Sequence, residues 1–205
     1  MYTIRHLRYD ELYQLSEFVV MQNYLHHAKD KPDLLSLEQE ILHVYEEEKR
    51  YFPFSEFYVA HNDLSEMIGS IRVMRWRKDM VLPLQRIFNL QLETCLPVPE
   101  PHVWHIGRFA VSGKEQGADF LLFKKLIALS IRPVYEDSNS YMVAELDNKL
   151  FHTFSLLGIT AHPLSQPVEY LGSPTLAVYS SKADLTPFYE KYESCITMYS
   201  RRNPE

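Results

Sequence analysis

Residues 102–111 read HVWHIGRFAV, and this stretch decides the fold class. It is apolar and rich in β-branched and aromatic residues, which is typical of a buried strand. A helix with a broad apolar face is predicted behind it, from Gln116 to Ile131, and Tyr141–Leu146 is predicted as a second buried strand. This order of elements indicates an α/β sheet flanked by helices.

Towards the N-terminus, residues 2–8 alternate as in a strand, and two amphipathic helices are predicted to follow. The second carries Leu37, Ile41, Val44 and Tyr45 and ends in the charged run 46–50, which is interpreted as a solvated face. Next, Asn62 and Asp63 separate two β-rich runs and predict an antiparallel hairpin. The proline-containing stretch 75–101 is predicted to be a long loop with one short helix.

Towards the C-terminus, Asp147 or Asn148 is predicted to cap a short helix that Gly158 ends. A last strand is predicted at Thr175–Ser181, before a C-terminal helix from about 184 to 198. The chain shows neither an internal repeat nor the composition of a domain linker. Residues 1–205 are therefore predicted to form a single α/β domain with a mixed central sheet flanked by helices.

Composition limits the possible partners and compartments. The formal charge of −6 gives no general attraction for nucleic acid or an anionic bilayer. Cys95 and Cys195 lie in neither metal-ligand nor redox spacing, and the histidines form no convincing metal set, so no metal is expected. The N-terminus contains no apolar run long enough for a signal peptide or membrane span, so a cytoplasmic protein without stable membrane insertion is expected.

Two strand motifs carry a resemblance to a known family. Residues 68–74 read IGSIRVM, and residues 104–111 read WHIGRFAV. The second resembles the Trp-Glu-x-Ser-Arg-Phe-x-Val signature of acyl-homoserine-lactone synthases and the related strand of long-chain N-acyl amino acid synthases, within the GNAT superfamily of acyltransferases. The resemblance covers roughly residues 55–160. It implies a GNAT-type fold and acyl transfer from an acyl carrier protein or acyl-coenzyme A thioester to the amine of an amino acid or similar small acceptor.

The sequence departs from that signature at two positions: His105 replaces the glutamate and Gly107 replaces the serine. A histidine in an apolar strand suits general-base chemistry at neutral pH, although a hydrogen-bonded core histidine is the alternative. Glu145, at the end of the next strand, could share or replace that role, or form a cap or salt bridge. Gly107 favours a bulge, which would rotate the side chains that follow it.

Arg72 and Arg108 lie within β runs, where an unpaired guanidinium group would be costly to bury. Each is expected either to form a structural ion pair or to meet a ligand anion such as the acceptor carboxylate. Arg108 is assigned with His105 and Glu145 to the catalytic group. Arg72 and Trp104 are assigned to substrate binding.

The stretch after residue 111 resembles the turn that binds coenzyme A phosphates in GNAT enzymes. The residues that this resemblance assigns to the donor are Phe109, Val111, Gly113, Gly117 and Ala118. The glycine pattern is shortened, and Glu115 and Asp119 add negative charge, which favours a carrier-protein donor.

Phe154 stands where many GNAT acetyltransferases place a tyrosine that protonates the leaving thiolate. Because phenylalanine has no proton to give, His152 is the nearest substitute, although a helix histidine on the surface is more often inert.

Two other functions remain open at this stage: an acetyl-coenzyme A-dependent GNAT N-acetyltransferase, and a non-catalytic GNAT-like module that binds an acyl thioester or a partner. A catalytic site requires His105, Glu145 and Arg108 to face a common cavity. An apolar cavity beside them would favour a longer acyl group over acetyl.

Overall fold

The computed structural model describes residues 2–27, 34–113, 118–170 and 173–196. The strands are β1 (Tyr2–His6), β2 (Ser55–Asn62), β3 (Met67–Arg75), β4 (His102–Val111), β5 (Ser140–Asp147), β6 (His162–Pro163), β7 (Val168–Tyr170) and β8 (Ser173–Ser181). The α-helices are α1 (Leu12–His27), α2 (Leu34–Tyr51), α3 (Pro83–Ile87), α4 (Leu92–Cys95), α5 (Ala118–Glu136), α6 (Asn148–Leu156) and α7 (Lys182–Tyr192).

The strands described above join into one mixed sheet in the order β1-β2-β3-β4-β5-β8-β6, with β7 also paired to β8. The central pair, β4 and β5, is parallel, and its crossover is α5. The other pairs are antiparallel. The predicted mixed sheet flanked by helices is therefore confirmed.

Helices cover both faces of this sheet. On one face, α5 and α7 contribute Leu126, Ile127 and Phe188 to the largest apolar cluster. On the other face, α1 packs over β2 through Leu12 and Leu15, while α3 and α4 cover β3 and β5 further along. The sheet is thus buried on both sides, which explains the nearly continuous apolar runs in its central strands.

Strand β4 contains one extra residue relative to β3. Arg72 pairs with Gly107, but Ser70 pairs with Ala110, and Arg108 lies at φ 53° in the left-handed region. The Ser70 hydroxyl donates a hydrogen bond to the Arg108 carbonyl at 2.8 Å and holds this bulge. The bulge predicted at Gly107 is confirmed.

The bulge exchanges the two faces of β4 for every residue after it. Before the bulge, Trp104 and Ile106 face α5, and after it Phe109 and Val111 do so. Ala110 packs with the α1 cluster on the opposite face. Arg108 therefore lies on the same face of β4 as His105. In a strand without the bulge, Arg108 would lie on the opposite face, with Ile106.

Several local predictions are confirmed. The β2–β3 hairpin turns at the predicted position, the Asp147 carboxylate accepts hydrogen bonds from the backbone of Lys149 and Leu150, and α6 ends before Gly158 at φ 82°. Residues 75–101 contain two short helices where one was expected. The short strands β6 and β7 were missed, because neither is long enough to show a period.

Candidate active site

The candidate site lies where β4 and β5 separate. Their ladder ends at Ile106 and Ala144 in the described chain, although β4 continues to Val111. Past this point the edge of β4 is open towards α6, and two cavities occupy the gap. The bulge lies beside the point of separation, so it brings its side chains to the opening.

The smaller cavity, of about 100 Å³, contains the predicted catalytic residues. His105, Arg108 and Glu145 all line it, together with Arg72 from β3 and Tyr170 from β7. The predicted residues thus face a common cavity, which was the condition for a catalytic site.

A buried chain of hydrogen bonds crosses the sheet behind this cavity. The Glu48 carboxylate accepts from Arg72 Nη1 at 2.6 and 2.7 Å, and Arg72 Nη2 lies 2.8 Å from His105 Nδ1. His105 Nε2 in turn lies 3.0 and 3.1 Å from the oxygens of Glu145. Glu48, Arg72 and His105 are each at most 1% exposed, so the chain is shielded from water.

The chain determines which nitrogen of His105 carries the proton. A guanidinium group can only donate, so Nδ1 must accept from Arg72, and the proton of a neutral ring lies on Nε2. That proton is donated to the Glu145 carboxylate. Both ring nitrogens are therefore engaged, and His105 positions Glu145, whose carboxylate lines the cavity.

Opposing effects act on Glu145. Burial raises the pKa of the Glu145 carboxyl, but the interaction with His105, including its hydrogen bond, and the charges of Arg72 and Arg108 outweigh burial and lower the pKa. The group is therefore ionised at neutral pH. Its side chain is 11% exposed, so its charge is only partly solvated.

Both arginines of the site pair with helix α2. Glu48 accepts from Arg108 Nε at 2.6 Å as well as from Arg72, and Glu47 accepts from Arg108 Nη2. The structure thus shows the ion-pair alternative for Arg72 and Arg108. The interpretation of residues 46–50 as a solvated face is wrong for Glu47 and Glu48, which are 7% and 0% exposed.

The burial of Glu48 had a signal in the sequence. Glu48 follows Ile41 and Val44 at spacings of seven and four residues, so it lies on the apolar face of α2.

Tyr170, also missed, lies in a stretch without a clear period. Burial raises the pKa of the Tyr170 hydroxyl, and the positive charge of Arg108 opposes that effect.

The larger cavity, of about 400 Å³, adjoins the first and opens between α1, β4, α5 and α6. Phe109, Val111 and Gly113, three of the residues assigned to the donor, line it, and its walls are mostly apolar. Gly117 lies outside the described residues, and Ala118 is described only as the first residue of α5.

Two assigned residues lie away from the cavities. His152 is exposed on α6, where solvent surrounds it. Trp104 packs into the α5 cluster on the face of β4 opposite His105, since the strand alternates between them. Neither is brought to the cluster of His105, Arg108 and Glu145.

Over the described ranges, no three His, Cys, Asp or Glu side chains are grouped as metal ligands would be. Within the same ranges, none of the helices combines the length and apolar character needed to cross a membrane.

Solved structures share this architecture. FeeM, an N-acyl amino acid synthase from uncultured soil microbes, aligns over 89% of this chain and 93% of its own with a TM-score of 0.59 and 15% identity. The AHL synthase LasI aligns over 93% and 94%, with a TM-score of 0.56 and 13% identity. An acetyltransferase of the GNAT family from Staphylococcus aureus aligns over 88% and 98%, with a TM-score of 0.51 and 16% identity.

The chain therefore has the GNAT fold, as the strand motifs predicted. No protein-family model and no curated protein matches the sequence.

Proposed function

We propose that the chain is an N-acyltransferase that moves an acyl group from an acyl-carrier-protein or acyl-coenzyme A thioester to the amine of an amino acid or similar small acceptor. The observation that carries this proposal is the position of the Glu145 carboxylate. It lies at one end of a buried hydrogen-bonded chain and faces a cavity that adjoins a larger apolar one. The fold shared with FeeM and LasI supports the same class of reaction.

The larger cavity is the proposed donor site. Its apolar wall, formed by Phe109, Phe123 and Leu150, suits a pantetheine arm and the first carbons of an acyl chain. The open edge of β4 offers backbone groups to the pantetheine amides. In the sequence that follows β4, Glu115 and Asp119 add negative charge, which favours a carrier-protein donor, and Gly117 and Ala118 remain predicted contacts.

The proposed reaction uses two side chains of the smaller cavity, Glu145 and Tyr170. The amine nitrogen attacks the thioester carbonyl carbon, and Glu145 takes the proton that the nitrogen loses. The carbon–sulfur bond breaks, and the Tyr170 hydroxyl protonates the leaving thiolate. The proton held by Glu145 then returns through water to the Tyr170 oxygen, whose negative charge Arg108 stabilises, so the products are an amide and a free thiol.

The test is thiol release together with mass detection of the amide, using the purified chain, acetyl and longer acyl donors on coenzyme A and on carrier protein, and a panel of amines. Glu145→Gln should lower kcat about 100-fold, and Tyr170→Phe about tenfold. Glu169→Gln, which changes an exposed carboxylate in β7, is the matched control and should keep the parent rate.

The pH profile adds a second measurement. Because the pKa of Glu145 is lowered, its charged form persists to lower pH, so it should add no inflection between about pH 5 and 7. The rate should instead rise with pH as the amine loses its proton. A Glu145→Gln variant with full kcat would remove Glu145 from the mechanism. Absence of thiol release from every donor would overturn the proposal in favour of a binding module.

A further inference from the structure

The charges around the smaller cavity indicate which acceptor it takes. Arg72 is matched by Glu48, with two hydrogen bonds to that carboxylate. Arg108 is matched by Glu47 and Glu48 together. Both guanidinium groups are thus balanced by the protein's own carboxylates before any ligand binds.

The remaining donor atoms of these arginines offer little to an anion. The Arg72 Nε has no hydrogen-bond partner, but this atom is buried from solvent. The Arg108 side chain is 7% exposed, and its Nε and Nη2 already donate to Glu48 and Glu47. An acceptor carboxylate would therefore meet no uncompensated guanidinium charge.

Around the smaller cavity, the negative charges of the carboxylates outnumber the positive charges of the arginines. Glu47, Glu48 and Glu145 carry three negative charges against the two positive charges of Arg72 and Arg108, and His105 is neutral in the hydrogen-bonded arrangement. Asp147 also lines the cavity, but its carboxylate accepts hydrogen bonds from the backbone at the start of α6. Arg86 lies 3.8 Å from Glu47, but its side chain is 48% exposed, so solvent screens its charge.

We propose that the acceptor is a small cationic amine without a carboxylate, such as an alkylamine or diamine, and that Glu145 binds its ammonium group. This inference rests on the proposed function and narrows its acceptor. A partly buried excess negative charge favours a cation, and it opposes a second carboxylate by like-charge repulsion. The cavity of about 100 Å³ has room for only a few carbon atoms.

The test compares acceptors that differ only in the α-carboxylate. Ethanolamine is paired with serine, and cadaverine with lysine, and kcat/KM is measured with one fixed donor. Each amine should exceed its amino acid by at least about tenfold. Serinamide keeps the size of serine but removes the negative charge, so it should behave like ethanolamine. An amino acid used as well as its amine, or better, would overturn the inference.

A variant tests whether the charge balance is the cause. Glu47→Gln removes one of the carboxylates that match Arg108, so the preference for ethanolamine over serine should shrink several-fold. Glu46→Gln makes the same change at an exposed position on α2, where the carboxylate pairs with Lys49, and should leave the preference unchanged. An unchanged preference in Glu47→Gln would contradict the role given to the Arg108 ion pair.

Failure of the proposed function would be distinguishable. If no amine or amino acid is acylated from any donor, acyl transfer is refuted. The preference for a cationic amine is then tested by ligand binding alone. Ethanolamine should raise the melting temperature more than serine at equal concentration. Equal shifts, no shifts, or a larger shift with serine would overturn it as well.

Discussion

The two faces of β4 carry opposite chemistry within ten residues. Towards α5 the strand presents only apolar surface, formed by Trp104, Ile106, Phe109 and Val111. Towards α1 and α2 it presents His105 and Arg108, which join a buried network of carboxylates. One inserted residue separates these patterns, because the bulge moves Arg108 from the first face to the second. The apolar face holds the sheet to its helix, and the charged face forms the site.

The largest expected effect concerns the charged face. Glu48→Ala would leave Arg72 without its bidentate partner and Arg108 with Glu47 alone, so it should lower the free energy of unfolding by about 3–5 kcal/mol. Urea denaturation measures this change. Glu46→Ala, which removes an exposed carboxylate two residues earlier, should cost less than about 0.5 kcal/mol. Equal losses in the two variants would show that the network adds no stability.

A smaller effect is expected at Gly107, beside the bulge. An added Cβ would lie 3.2 Å from His105 Cε1 and 3.3 Å from Arg72 Nη2, so both side chains must shift. Gly107→Ala should therefore cost about 1–3 kcal/mol and misalign His105 against Glu145, with kcat lowered roughly tenfold. At Gly113 the nearest atom would be 3.4 Å away, so Gly113→Ala is the control for stability. Parent kcat in Gly107→Ala would show that His105 tolerates displacement.

The smallest effect is expected on the apolar face. Trp104→Phe removes buried ring atoms and should cost roughly 1 kcal/mol. Because Trp104 faces α5 and not the cavity, KM for the acceptor and kcat should both stay at the parent values. Steady-state kinetics with one amine decides this. A raised KM would instead support the role in substrate binding that the sequence analysis predicted for Trp104.

Much of the fold could be predicted because its signals are local. The apolar run of β4, the hairpin at Asn62 and the cap at Asp147 each depend on a few neighbouring residues. The bulge could be predicted from Gly107, whereas a common cavity for His105, Arg108 and Glu145 was expected only from the family resemblance. The expected positions of these elements agree with the structure to within a few residues.

The rest of the site depends on contacts between distant parts of the chain. Glu47 and Glu48 were predicted to be solvated because they belong to a charged run. Their burial depends on ion pairs with arginines on β3 and β4, which are distant in sequence. His105 was a candidate base until the geometry showed Arg72 at its second nitrogen. Tyr170 had no periodic signal, because β7 is three residues long. A hydrogen-bonded network of this kind is specified by tertiary contacts, and these leave little local pattern.

The Glu48 carboxylate also bears on the order in which the chain folds. Its hydrogen bonds to Arg72 and Arg108 span 24 and 60 residues of sequence. Contacts this distant form slowly, since a long loop must close before they are made. Until α2 has docked, burial of either arginine carries a large desolvation penalty, because its carboxylate partners are absent. We therefore expect α2 to dock in the same late step that dehydrates the centre of the sheet, so that the site and the core are completed together.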